Sequence, residues 1–232
     1  MFFFDPLYLL FAAPALVLAL FAQARVSGTY GKFSKVRNVR GITGAEAAQH
    51  LLRAKGLGHI VIEPTHGELT DHYDPGKKVL RLSEGVYRST SVAALGIAAH
   101  EVGHAYQDHD HSYVFMRVRS TLVPVANLGS NLGVWLAMIG AMISMTPMVA
   151  FGVVLFSAAV LFTLVTLPVE FNASNRAMAA LRTSGLVTTT EYDGARAVLN
   201  AAALTYVAAA LQSVMLLLYF VLRLVGIGRD ED

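Results

Sequence analysis

The sequence predicts a mainly α-helical membrane protein: four transmembrane helices and one small α+β soluble segment. Three observations predict it. Mean hydropathy is +0.52 with 55% hydrophobic and 15% charged residues, outside the range of an ordinary soluble domain. Charge is absent from long runs, and all eight histidines fall between His50 and His111. The residues between 25 and 119 carry 13 of the 18 Lys and Arg.

The first uncharged run, Pro6 to Ala24, is long enough to cross a bilayer and predicts a helix near 7–24. Phe21-Ala22-Gln23-Ala24 resembles a signal-peptidase site. Met1 to Asp5 has no Lys or Arg, which a secretory signal carries, so residues 1–24 are expected to stay as an anchor. In 25–119, Thr43-Gly44-Ala45-Glu46 is a capping box that opens a helix ending at Gly56. His59–Glu63 reads as a short strand. Asp74-Pro75-Gly76 reads as a turn between strands in Glu68–Tyr73 and Lys77–Ser83. Ser91, with Ser89 and Thr90 as alternatives, is the N-cap of an apolar helix that begins Val92-Ala93-Ala94-Leu95.

The run Ser120 to Val169 holds 50 uncharged positions, enough for two crossings. Met145-Thr146-Pro147 divides it into helices near 121–144 and 148–168, a membrane hairpin over 120–169. Gly129 and Gly133 form a G-x-x-x-G step for close intramolecular packing, with a docked substrate helix as the alternative. Asn127 and Asn131 are expected to face another helix or a polar cavity. A polar segment, 170–202, precedes the last span near 203–225, within 203–232.

Positive-inside bias puts both polar segments in the cytoplasm and both termini outside, as in a bacterial cytoplasmic membrane. Arg223 and Arg229 run against this, with Asp230, Glu231 and Asp232 beside them. The basic stretch Arg25 to Arg40 is ascribed to charge sorting and contact with the lipid bilayer, not to nucleic acid. The chain has no cysteine, which excludes thiol chemistry and leaves His and carboxylate as metal ligands. The absence of ionisable groups at membrane depth speaks against a transporter.

His100-Glu101-Val102-Gly103-His104 carries the chemistry. On a helix, positions i and i+4 share a face, so both imidazoles can grip one Zn²⁺. Glu101 projects to one side, where it can act as general base toward a metal-activated water. That combination hydrolyses amide bonds. A catalytic zinc needs a third ligand, and His109, His111, Asp71, His72 and Asp74 are available. Glu170 is the stronger candidate. It is the first charge after the hairpin, which returns to the face it left, and Pro168 is placed to open a new helix. Ser174 lies one turn further on the same face as a candidate partner of the ligands. Arg176 is a candidate for stabilising a transition state, or else a membrane-boundary charge. Strand residues Val79, Leu80, Arg81 and Leu82 are candidates for holding an extended peptide at a sheet edge.

His100-Glu101-Val102-Gly103-His104-Ala105-Tyr106-Gln107, with Pro168-Val169-Glu170-Phe171-Asn172-Ala173-Ser174-Asn175-Arg176-Ala177, resembles the YugP-like family of membrane zinc metallopeptidases. That family is similar in layout to the HtpX-type gluzincins. The resemblance spans nearly the whole chain. It implies a small zincin-like cytoplasmic catalytic domain, one zinc per chain, His100, His104 and Glu170 as ligands, Glu101 as general base, and a protein or peptide substrate. HtpX-type proteins have E-x-x-A-D where this chain has Glu170-Phe171-Asn172-Ala173-Ser174, and a serine hydroxyl is a weaker orienter than a carboxylate. The alternative reading is a non-catalytic membrane scaffold or metal-handling protein with a structural site. No residue pattern speaks to a homo-oligomer.

Overall fold

The computed structural model describes residues 5–110 and 113–226. His111, Arg229 and the acidic tail lie outside them. The elements are α1 (Pro6–Phe33), α2 (Gly44–Ala54), β1 (Val61–Thr65), β2 (His72–Asp74), β3 (Val79–Ser83), α3 (Glu84–Tyr87), α4 (Val92–His109), α5 (Val114–Leu128), a π-helical turn (Gly129–Gly133), α6 (Val134–Met142), α7 (Thr146–Ser184) and α8 (Thr189–Leu224). Among the described residues, four stretches are long and apolar enough to cross a membrane: Pro6–Phe33, Val114–Met142, Thr146–Ser184 and Thr189–Leu224.

The helices overrun the expected spans. The 39 residues of α7 pass through Pro168 without a break, so Pro168 does not open a new helix. An interior proline removes one backbone donor and costs roughly 3 kcal/mol. Buried Val169, Ala173, Ala177 and Leu181 on its C-terminal side gain packing that offsets this.

The chain divides into two compact units. One comprises residues 1–22, 115–168 and 204–232. In it the G-x-x-x-G step packs internally. A Cβ on Gly133 would lie 2.7 Å from Phe156 N and 3.0 Å from Gly152 O, and one on Gly129 would overlap the Leu155 carbonyl. Ala137 and Gly140 extend this small-residue stripe, so the π-helical turn and α6 lie backbone-close to α7. Asn127 and Asn131 do not pack on another helix of the described chain. Both are exposed, and Asn131 Nδ2 donates to the Asn127 carbonyl at 3.0 Å. The i, i+4 spacing that aligns them also lets one bond the other's backbone.

The other unit comprises residues 23–114 and 169–203. The Thr43 capping box forms: Glu46 N donates to Thr43 Oγ1 at 3.2 Å, and Thr43 N donates to Glu46 Oε2 at 2.7 Å. Gly56, at φ +72, follows the end of α2 in the left-handed region that glycine enters without a Cβ clash. Ser91 caps α4 by accepting from Ala94 N at 3.1 Å. The amphipathic α2 buries Leu51 and Leu52 among Leu80, Leu82, Leu95, Val102 and Leu181, a core with α4 at its centre. Each such side chain contributes about 1.5–3 kcal/mol on burial.

The sheet has the order β1-β3-β2. β1 runs parallel to β3, with Val61 opposite Val79, and β2 runs antiparallel, with Tyr73 opposite Leu80. The first strand lies two residues later than expected, and the second shrinks to three residues. The more consequential correction concerns Val79, Leu80, Arg81 and Leu82. They form the central strand, paired on both sides, so this stretch has no free edge for a peptide. Leu80 and Leu82 fill the core, while Arg81 spans the outer face to Glu63 at 3.3 Å and Asp74 at 3.4 Å. Strand order is set by which faces the helices cover, and that information lies outside the strand itself.

Candidate metal centre

The centre is built on α4 and the segment of α7 that begins at Val169. His100 and His104 project from one face of α4, their ring centroids 4.8 Å apart. Between them sits Gly103. A Cβ there would lie 2.9 Å from the carbonyl carbon of Ala173 and would overlap its oxygen. The absent side chain therefore lets α7 approach close enough for a short carboxylate to reach the imidazoles. Glu170 Oε2 stands 3.2 Å from His100 Nε2 and 3.5 Å from His104 Nε2. Zinc ligands at ~2.0–2.1 Å in tetrahedral array lie roughly 3.3 Å apart, so the donor set fits that ion in kind and in spacing. Among the described residues, these three form the one group of ligand side chains so placed, their ligand atoms all within 4.8 Å of one another.

The site is buried. Glu170 is 2% exposed, and His104 and Glu101 are 7% exposed. The Nδ1 atoms point away from the cluster: His100 Nδ1 lies 3.1 Å from Ser174 Oγ and His104 Nδ1 lies 2.9 Å from Gln107 Oε1. That leaves each Nε2 facing the place where a metal would sit. Burial pushes the Glu101 carboxyl up to about 7. The nearby Glu170 and Asp71 carboxylates act in the same direction, against His100 and a backbone hydrogen bond from Tyr73. A carboxylate with its pKa near neutrality is suited to accept and then return a proton.

The other sequence candidates are engaged elsewhere. Asp71 accepts from Ser83 N at 2.8 Å and from Ser83 Oγ, and burial raises its pKa. His72 Nδ1 meets Thr70 O at 2.9 Å, and Asp74 accepts from Gly76 N and Lys77 N at 3.0 Å each. His109 lines a cavity of about 560 Å³ with Lys55, Tyr106, Asp110 and Arg176. Arg176 donates from Nε to Asn172 Oδ1 at 2.7 Å and from its terminal nitrogen to Asp110 Oδ2 at 2.9 Å. Its guanidinium lies over the Tyr113 ring, 5.7 Å from the centroid. These contacts tie Arg176 to the end of α4.

Sequence reasoning missed Gly103 and Gln107. Both left a signal: a glycine inside a helix costs ~1 kcal/mol against alanine, and an amide one turn past His104 lies on the face that carries both histidines.

A family model described as "Putative neutral zinc metallopeptidase" matches residues 8–225. The chain is similar to a Bacillus subtilis (strain 168) protein described as "Putative membrane protease YugP", at 45% identity over 226 residues, covering 97% of this chain and 100% of that protein. No solved structure matches the chain.

Proposed function

Since the chain belongs to the family described as "Putative neutral zinc metallopeptidase", we propose that it is an integral membrane zinc metalloendopeptidase. Its substrates would be membrane or membrane-proximal proteins. The observation that carries this reading is the buried His100–His104–Glu170 cluster with Glu101 beside it. Zinc, when bound there, supplies a Lewis acid that polarises a carbonyl and makes water acidic. Glu101 takes the proton from water as its oxygen attacks the scissile carbonyl carbon. It then hands that proton to the amide nitrogen as the C–N bond breaks, leaving a carboxylic acid and an amine. Gly103 and the α4–α7 contact hold Glu170 against the two histidines, and burial keeps the proton carrier away from bulk water.

An extended peptide would add to an outer strand rather than to residues 79–82. β2 is the better placed, because its Tyr73 backbone reaches Glu101. The charge pattern supports a cytoplasmic active site in a bacterial cytoplasmic membrane. Arg223, which runs against that pattern, is paired with Asp5 at 3.3 Å.

Metal content of the detergent-purified protein tests the reading first. About one zinc per wild-type chain, a clear loss in Glu170→Ala, and retention of zinc without cleavage in Glu101→Gln are expected. A wild type that takes up no zinc would replace this reading with a membrane scaffold.

A further inference from the structure

We propose that Gln107 is the positioning residue that sets the tautomer of His104 and locks the two halves of the ligand set together. This rests on the zinc reading above.

Gln107 sits on α4 three residues after His104, close to it on the helix surface. It is 1% exposed. Its side-chain amide is bonded on both sides. Oε1 lies 2.9 Å from His104 Nδ1. Nε2 donates to the Val169 carbonyl at 2.7 Å and to Asn172 Oδ1 at 3.0 Å. The Val169 carbonyl can only accept, so the NH₂ of Gln107 must face it and the oxygen must face His104. An amide oxygen in turn can only accept, so His104 Nδ1 carries the proton. Nε2 is then left with a lone pair toward Glu170, the form a metal ligand needs.

The other end of the amide matters as much. Val169 precedes Glu170, so Gln107 grips the backbone next to the third ligand. One side chain thus fixes a ligand on α4 and the segment of α7 that presents another. The bonds continue: Asn172 Oδ1 also accepts from Arg176 Nε, and Arg176 donates to Asp110 just past the end of α4. An amide keeps its acceptor and its donors on two separate atoms, so each side of Gln107 meets one kind of partner. A glutamate would set a carboxylate against the Val169 carbonyl, a lysine would present a second donor to Nδ1, and an apolar residue would leave both sides unbonded in a buried place. Ser174 is the counterpart at His100, but a hydroxyl can both donate and accept, so it constrains that ring less.

Gln107→Met tests this, because it fills a similar volume without hydrogen bonds. Zinc affinity of the purified full-length protein is read by chelator competition, and the melting temperature of the metal-free form serves as a folding control. Zinc binding weaker by about 10–100-fold, at a melting temperature near that of wild type, is expected. Binding as tight as wild type overturns the inference and leaves the zinc reading standing. A wild type without zinc overturns both. A second measurement needs no variant and no metal. Histidine-selective ¹⁵N NMR of the metal-free wild type above pH 8 should find His104 protonated on Nδ1, and protonation on Nε2 would overturn the inference.

Discussion

Two helix contacts in this molecule use the same device for different ends. In the unit of residues 23–114 and 169–203, Gly103 lets α4 meet the backbone of α7 at Ala173. In the unit of residues 1–22, 115–168 and 204–232, Gly129 and Gly133 let the π-helical turn meet the backbone of α7 at Leu155 and Phe156. The second contact carries an apolar payload. Lipid offers helices no hydrophobic reason to associate, so close backbone approach and dispersion must supply the attraction. The first contact carries His100, Glu101, His104, Gln107 and Glu170, all at least half-buried. There the close approach brings short polar side chains within bonding distance of one another. Glycine therefore stabilises one contact and gathers polar side chains at the other, and substitutions should separate the two.

The largest difference expected is the cost of burying Glu101, which has no parallel at the apolar contact. Its pKa is raised from 4.5 to about 7 in the fold, so the native state holds a proton that the unfolded chain has already released. The destabilisation begins above the unfolded value of 4.5 and is complete above about 7. Metal-free Glu101→Gln should be more stable than metal-free wild type at pH 8, by on the order of 3 kcal/mol at most, and no more stable at pH 4. Thermal melts in chelator at the two pH values check this. A gap that does not grow with pH would mean Glu101 is not desolvated. Added zinc should narrow the gap, because a nearby cation favours the ionised carboxylate.

Next comes Gly103→Ala. The new methyl meets backbone, which cannot swing aside as a side chain can, so an overpacking cost of about 2 kcal/mol is expected. It should emerge mainly as lost zinc affinity, roughly thirtyfold in a chelator competition, with helix content by circular dichroism unchanged. Unaltered zinc binding would break the comparison. Gly133→Ala should show the converse: a lower melting temperature, about 1–2 kcal/mol of lost stability, and zinc binding within twofold of wild type.

The sequence was legible wherever the cause is local. Charge-free runs announced four apolar spans, because solvation in lipid is a property of each segment by itself. The Thr43 and Ser91 caps were readable because a cap bonds a donor two or three residues away. The i, i+4 histidines follow from helix geometry alone. Glu170 was placed by a simple topological argument, that a hairpin returns to the face it leaves.

Tertiary structure decided the rest, and in each case the deciding partner is distant in the chain. Residues 79–82 read locally as a strand of a small sheet, but only the pairing with both β1 and β2 makes them central. Pro168 reads locally as a helix start, and packing of the residues after it carries α7 straight through. Ser174 finds His100, and Gln107 finds Val169 and Asn172, across more than 60 positions. Gly103 has meaning only against Ala173. Periodicity and composition report what a segment prefers by itself. Strand order, close approach and the second bond of a ligand depend on which segments meet, and the competing burials of the whole chain settle that.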